Sequence, residues 1–182
     1  MVSLESAKTL EEKRAALIIK YRGMEVEEES REEDRVVLHL RRGDKRYLMH
    51  ILLGLKTIGI SYVRDLRDAV SAGGFDGGII VGDGKYTYSA RSNAEEMKVE
   101  LIPPTTPVFD IFQHELIPLH EIVDEEEKQS LREKYHAPLY HFPWLKKDDP
   151  IAIIIGAQPG DVVKITQKSQ TAGVAYSYRY VV

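Results

Sequence analysis

Apolar positions near the start of the chain recur at helical spacing. Leu10, Leu17, Ile18 and Tyr21 share one face, which predicts a helix. Thr9-Leu10-Glu11-Glu12 has the form of a capping box, and Gly23 supplies a stop. From 24 to 34 the text turns acidic (MEVEEESREED), which predicts a solvated stretch. Residues 35–40 and 47–53 read as two strands, with turn chemistry at Arg42-Gly43-Asp44 between them, hence a hairpin. Ser61 is placed to cap a helix whose apolar face is Val63, Leu66 and Val70 and which ends at Gly73-Gly74. Residues 78–82 form a short buried strand, 89–97 a second short helix and 99–102 another strand. Strands alternating with helices predict a compact α/β or α+β unit.

The run Pro103-Pro104-Thr105-Thr106-Pro107 marks a boundary, because prolines hold their neighbours extended and cannot continue a helix. It predicts two domains, residues 1–107 and 108–182. In the second, Asp124 with Glu127 fits a helix start, and the helix runs to about Tyr135. Asp149-Pro150 fits an N-cap followed by proline at the first helical position. A short apolar helix over 151–155 then stops at Gly156, and Pro159-Gly160-Asp161 is a turn. Residues 162–166 and 175–182 alternate enough to be paired strands, and no internal repeat is present.

Composition narrows the function. The 182 residues contain no cysteine, which excludes a disulfide scaffold and a thiolate metal site. No stretch approaches the ~18 apolar residues of a membrane span, and the first residues lack the apolar core of a signal peptide. The formal net charge is −4 with mixed signs in both halves. A free-standing DNA-binding domain would show a basic patch. The main partner is therefore expected to be protein, with room for a local DNA contact inside a larger complex.

Several segments suggest chemistry but read better as structure. His114-Glu115-Leu116-Ile117-Pro118-Leu119-His120 evokes a zinc helix, which needs two histidines four apart on one face. Here they are six apart, with Pro118 where the second histidine belongs, so the expectation is a buried extended segment with hydrogen-bonded histidines and no metal. Gly82-Asp83-Gly84-Lys85 lacks the remainder of a phosphate loop and reads as a turn. Asp148-Asp149 reads as helix capping rather than paired catalytic carboxylates, and Glu125-Glu126-Glu127 as a favourable first helical turn. Lys146-Lys147 reads as solvated. Tyr176, Tyr178 and Tyr180 alternate on one strand face, which suits packing against a helix better than a stacking platform for nucleic acid.

The order of motifs from His114 to the end resembles one family. His114-Glu115-Leu116-Ile117-Pro118-Leu119-His120 is followed by an acidic helix and Asp149-Pro150-Ile151-Ala152. Next come Gly156-x-x-x-Gly160-Asp161-Val162-Val163-Lys164-Ile165, Ser169-x-Thr171-Ala172-Gly173 and Tyr178-Arg179. This text resembles a small, non-catalytic component of archaeal DNA-directed RNA polymerase, whose eukaryotic counterpart is the fifth, shared subunit. The resemblance implies signature positions at His114, Glu115, Pro118, His120, Asp149, Pro150, Ala152, Gly156, Gly160, Asp161, Val163, Lys164, Thr171, Ala172, Gly173, Tyr178 and Arg179, all structural or partner-binding. Gly54-Leu55-Lys56-Thr57-Ile58 and Ile79-Ile80-Val81 resemble the N-terminal jaw domain of the eukaryotic form.

The implied fold is α+β: a mixed α/β jaw domain of restriction-endonuclease type, then a small α+β polymerase-assembly domain. The implied role is a scaffold without catalytic residues, metal or cofactor, within a complex whose nucleotidyl transfer belongs to its largest subunits. The implied partners are the largest subunit, the other polymerase subunits and downstream DNA beside the jaw, with no membrane. The location is nuclear if the source is eukaryotic, as the two-domain layout suggests, and cytoplasmic or nucleoid if archaeal. The alternatives are a metal-dependent nuclease-like domain fused to a polymerase-binding module, or a stand-alone transcription-associated interaction protein.

A nuclease of that fold needs an acidic residue at one strand end and Glu-x-Lys or Gln-x-Lys on the next. Asp44 lies in a turn, and Tyr47-Leu48-Met49-His50-Ile51-Leu52-Leu53-Gly54 carries no acid. The chain also departs from the polymerase family. Ile153 and Gln167-Lys168 stand where arginine and Arg-Pro are usual, and Phe142-Pro143-Trp144-Leu145 replaces Leu-Pro-Arg-Ile. Ile cannot replace an arginine fork, so the partner surface is expected to differ.

Overall fold

The computed structural model describes residues 7–169 and 173–182. The chain divides into two compact units, Met1–Phe109 and Asp110–Val182.

In the first unit, helix α1 (Leu10–Tyr21) starts on the expected capping box. The Thr9 hydroxyl accepts from Glu12 N at 3.2 Å, and the Glu12 carboxylate accepts from Thr9 N at 3.1 Å and Lys8 N at 2.7 Å. Burial works to raise the Glu12 carboxyl, but those amides and the Arg31 guanidinium outweigh it and hold its pKa below the usual value. Thr9→Ala should lower stability by about 1 kcal/mol, read as a shift in the urea midpoint.

Strands β1 (Glu25–Arg31), β2 (Arg35–Arg42) and β3 (Lys45–Leu52) follow as an antiparallel meander. The acidic stretch is thus largely solvated, as expected, and takes the form of a strand. Its carboxylates meet cations across the sheet: Glu25 and Glu27 pair with Arg41 at 2.9 and 3.3 Å, and Glu28 meets His39 at 3.2 Å. Cross-strand charge pairs and ladder hydrogen bonds hold this edge without apolar alternation.

The short β4 (Thr57–Ile58) leads into α2 (Ile60–Gly73), and β5 (Gly77–Gly82) follows. The N-cap of α2 is Gly59, with no side-chain cap, so Ser61 does not fill that role; the chain turns into the helix directly after Ile58 pairs with Tyr86. The remaining elements are β6 (Lys85–Tyr86), α3 (Tyr88–Ala94), which Thr87 caps and which is shorter than predicted, and β7 (Val99–Ile102). The main sheet has the order β1-β2-β3-β5-β7, parallel across its last three strands.

Strand alternation sends side chains to opposite faces. Leu48, Leu52, Ile80 and Val99 pack with Val63, Leu66 and Val70 of α2 and Ala90 and Ala94 of α3. Met49, Ile51, Ile79 and Val81 are buried on the other face, and α1 packs against β3 and β5. Gly84 is glycine because a Cβ there would lie 2.4 Å from Leu55 O. That close approach explains the Gly-Asp-Gly text without any phosphate.

In the second unit, β8 (Leu119–Ile122) precedes α4 (Glu125–Tyr135), and β9 (Trp144–Leu145) precedes α5 (Pro150–Ile155). The chain closes on β10 (Val162–Ser169) and β11 (Gly173–Val181), in a sheet of order β8-β10-β11-β9. The two faces of the β10–β11 hairpin carry separate cores. Val163, Ile165 and Val181 pack on Ala152 and Ile155 of α5. Val162, Tyr178 and Tyr180 pack with Leu131 of α4, Val123 and Leu139.

Candidate functional site

The signature residues of the second unit fall into three structural groups. The first builds α5. Asp149 Oδ1 accepts from Ile151 N at 2.8 Å, Pro150 occupies the first turn, and Ala152 is fully buried. Gly156 ends the helix in the left-handed region at φ 77°, its amide donating to Ala152 O at 2.9 Å. Ile153 is half-buried on this helix.

The second group shapes the turn into β10. Asp161 Oδ2 accepts from Gln158 N at 2.9 Å, and Oδ1 lies 3.3 Å from the Lys128 ammonium. Lys128, buried in α4, also meets Glu125 at 2.7 Å; that hydrogen bond, then Asp161, raises its pKa against burial. Gly160 has φ +97°, and its amide donates to Val181 O at 3.0 Å while Val181 N donates to Asp161 O at 2.9 Å. The turn is therefore sewn to the last strand.

The third group lies along the hairpin. Val163 is fully buried. Lys164 donates to Glu127 Oε1 at 2.9 Å, and Tyr178 OH donates to the same oxygen at 3.2 Å, so α4 is tied to both hairpin strands. The bond to Glu127 raises the pKa of Lys164, while burial is the first cause raising that of Tyr178. Arg179 Nη1 donates to Trp144 O at 3.2 Å, linking β11 to the edge strand β9. Gly173 has φ +73°; Thr171 and Ala172 lie outside the described residues.

The 114–120 segment differs from the expected buried strand. Ile117 N donates to His114 O at 2.9 Å, closing a turn, and Leu116 is 82% exposed. Glu115 is also exposed, and extended structure begins only at Leu119. A turn placed before the sheet has nothing in its own unit to cover it. The hydrogen-bonded histidines hold: His114 Nδ1 accepts from Leu116 N at 3.2 Å, and His120 Nδ1 lies 2.8 Å from Pro118 O. Burial lowers the His120 pKa against the pull of the Pro118 carbonyl and Asp149. Among the described residues no group of three His, Asp or Glu side chains could hold a metal ion.

Leu116, Leu119, Tyr140 and Trp144 leave apolar surface exposed on this unit. Lys146 and Lys147 are solvated as expected. Of the three alternating tyrosines, Tyr178 and Tyr180 pack inward, while Tyr176 is exposed with the Lys164 ammonium 5.0 Å from its ring centroid. Among the described residues no helix is long and apolar enough to cross a membrane.

The first unit offers a different feature. Glu32, Arg35, Val37, His39, Leu48, His50, Asp65, Ala69 and Phe75 line an open cavity of about 440 Å³ over β2, β3 and α2. Val37 pairs with His50 and His39 with Leu48, and with Arg35 these are the residues of β2 and β3 that line the cavity. Asp44 lies in the β2–β3 turn, at the other end of both strands. His50 is 6% exposed, and burial, reinforced by Arg35, pushes its pKa down to about 4. The unfolded chain therefore binds a proton that the fold refuses. The first unit should lose stability as pH falls from about 6.5 toward 4, and His50→Gln should flatten that part of a denaturation-versus-pH profile.

Two family profiles match this chain. Residues 109–181 match RNA polymerase Rpb5, C-terminal domain, and residues 7–106 match restriction endonuclease. The DNA-directed RNA polymerase subunit Rpo5 of Thermococcus onnurineus is 51% identical over 74 residues, 41% of this chain and 90% of that protein. That of Methanococcoides burtonii is 53% identical over 74 residues, 41% of this chain and 95% of its own length. That of Sulfolobus acidocaldarius is 45% identical over 73 residues, 40% and 87% of the two chains.

Proposed function

We propose, for a chain that belongs to the Rpb5 family of RNA polymerase subunits through residues 109–181 and to the restriction-endonuclease family through residues 7–106, that it is a non-catalytic structural subunit of a multisubunit DNA-directed RNA polymerase. The observation that carries this reading is the 51% identity over 90% of an archaeal Rpo5, aligned with the second unit of the fold. The C-terminal unit docks on the largest subunit, and its exposed Leu116, Leu119, Tyr140 and Trp144 supply apolar surface for that contact. The N-terminal unit acts as a jaw element beside downstream DNA. The archaeal relatives favour the cytoplasm and nucleoid over a nucleus as the working place. The remaining signature positions are assigned a structural or partner-binding role in this unit.

The test is affinity purification of tagged full-length protein at moderate salt. The largest polymerase subunit should co-elute in stoichiometric amount, and an eluate free of polymerase subunits would end this reading. The restriction-endonuclease match supports a second reading, metal-dependent DNA cleavage by the N-terminal unit. Against it stand Arg35, Val37, His39, Leu48 and His50, the residues of the paired strands that line the cavity, none of them a carboxylate or lysine. DNA cleavage dependent on Mg²⁺ or Mn²⁺ and lost in Asp44→Asn would favour the second reading.

A further inference from the structure

We propose that β8 is an open sheet edge that takes an extended peptide segment of a partner protein as an added strand. The segment carries a cation two residues from an apolar side chain, both on one face. The inference rests on the reading of this unit as a docking module and names the form that the contact takes.

The register fixes which backbone groups are free. Strand β8 runs antiparallel to β10, with Leu119 opposite Thr166 and Ile122 opposite Val163, and Val123 N donates to Val162 O at 3.0 Å. Hydrogen-bonded and non-hydrogen-bonded pairs alternate along such a ladder. Leu119 and Glu121 therefore bond inward to β10, and the N–H and C=O groups of His120 and Ile122 point away from it. Among the described residues β10 is the one sheet neighbour of β8, and no backbone group of a turn or loop bonds to His120 or Ile122. A row of unpaired groups along an edge is a template for strand addition.

The side chains determine what the added strand carries. Glu121 pairs with Lys164, whose ammonium reaches Glu127 of α4, so Glu121 and Leu119 lie on the α4 face. Leu119 is 51% exposed. Glu121 is exposed, and its carboxylate has no hydrogen bond or ion pair among the described residues. On the opposite face, Ile122 packs on the α5 core, and the His120 ring lies 6.2 Å from that of Phe112. An added strand therefore extends both faces with an apolar side chain beside Leu119, a cation beside Glu121 and an apolar side chain beside Ile122. The same pattern disfavours a second copy of this chain. Two β8 strands paired antiparallel through His120 and Ile122 would set Glu121 against its twin, against Leu119 or against Val123. The exposed carboxylates of Glu115 and Glu121 likewise repel a nucleic-acid backbone.

The experiment follows the His120 and Ile122 amides by NMR hydrogen exchange in ¹⁵N-labelled full-length protein. The probe is a blocked heptapeptide, Thr-Val-Leu-Val-Lys-Val-Thr. Two controls are the same peptide with N-methylated valines, which cannot donate to the edge, and with glutamate in place of lysine. Both amides should exchange freely in the protein alone and become protected as the lysine peptide saturates. The N-methylated peptide should give no protection, and the glutamate peptide should bind about fivefold more weakly than the lysine peptide. Glu121→Lys changes an exposed side chain, so the fold survives, and it should reverse the preference between those two peptides. The proposal is overturned if both amides are already protected in the free protein, or stay unprotected with the lysine peptide at millimolar concentration. It is equally overturned if the N-methylated peptide protects them, or if Glu121→Lys keeps the parental preference. These titrations need no polymerase. Their failure leaves co-elution of the largest subunit untouched, and failed co-elution leaves strand addition standing.

Discussion

Arg14→Met should lower the stability of the N-terminal unit by about 3–5 kcal/mol, the largest single-residue effect expected in this chain outside its apolar core. Arg14 lies in the first half of α1, where a surface cation would be ordinary, yet it is only 2% exposed. Its Nε donates to Thr106 O at 2.9 Å, Nη1 to Gly82 O at 3.1 Å and Nη2 to Pro104 O at 2.7 Å. Asp83, half-exposed, adds an ion pair at 3.3 Å. One planar fork thus ties the first helix to the end of the central strand β5 and to the proline-rich segment that closes the unit. Methionine restores much of the volume but none of the donors, and it strands three carbonyls away from water. Trp144 is the sole tryptophan and lies in the C-terminal unit. In a urea titration, the far-UV transition of the first unit should move to lower denaturant while the tryptophan transition stays in place. An unmoved far-UV transition would refute the role given to Arg14.

That clamp also marks where sequence reading stops. Chemistry between neighbours in the chain was legible: the Thr9–Glu12 box, the Gly74 stop, the Asp124 cap and the Asp149-Pro150 start all lie where local rules put them. Each of these bonds spans only a few residues. Arg14 instead bonds across separations of 68 to 92 residues, and no local pattern signals that. Strand β1 was missed for a related reason. Its pairing rests on glutamates facing arginines of β2, so hydrophobic alternation is absent. The motif segment at 114–120 differs in the other direction: failed zinc spacing leaves a buried extended segment as the expectation, whereas Leu116 is exposed and the 114–117 stretch closes a turn. In the C-terminal unit several of the positions singled out from sequence were legible as turn and cap residues. The shared Glu127 that gathers Lys164 and Tyr178 was not, since it depends on α4 lying across the hairpin.

Gly160→Val should cost the C-terminal unit about 2–4 kcal/mol, because a β-branched residue is a genuine outlier at positive φ. The penalty is conformational rather than steric: φ is +97°, and an added Cβ would meet nothing within 4 Å. The turn cannot relax to a better φ without breaking bonds that fix it on both sides. Gly160 N is held by Val181 O, Asp161 N by Gln158 O, and the Asp161 carboxylate by Gln158 N and Lys128. A unit of this size has on the order of 4–10 kcal/mol in total, so the loss takes a large fraction of it. The sharpest measurement uses a fragment of residues 108–182, whose two apolar clusters are drawn from its own elements. The parent fragment should unfold cooperatively and Gly160→Val at markedly lower urea, with Gly160→Asn between them because asparagine tolerates positive φ better. Recovery of the largest polymerase subunit on the tagged fragment should fall in the same order. Equal midpoints for the three fragments would remove the strain argument. Equal recovery from a destabilised Gly160→Val fragment would separate docking from the shape of this turn.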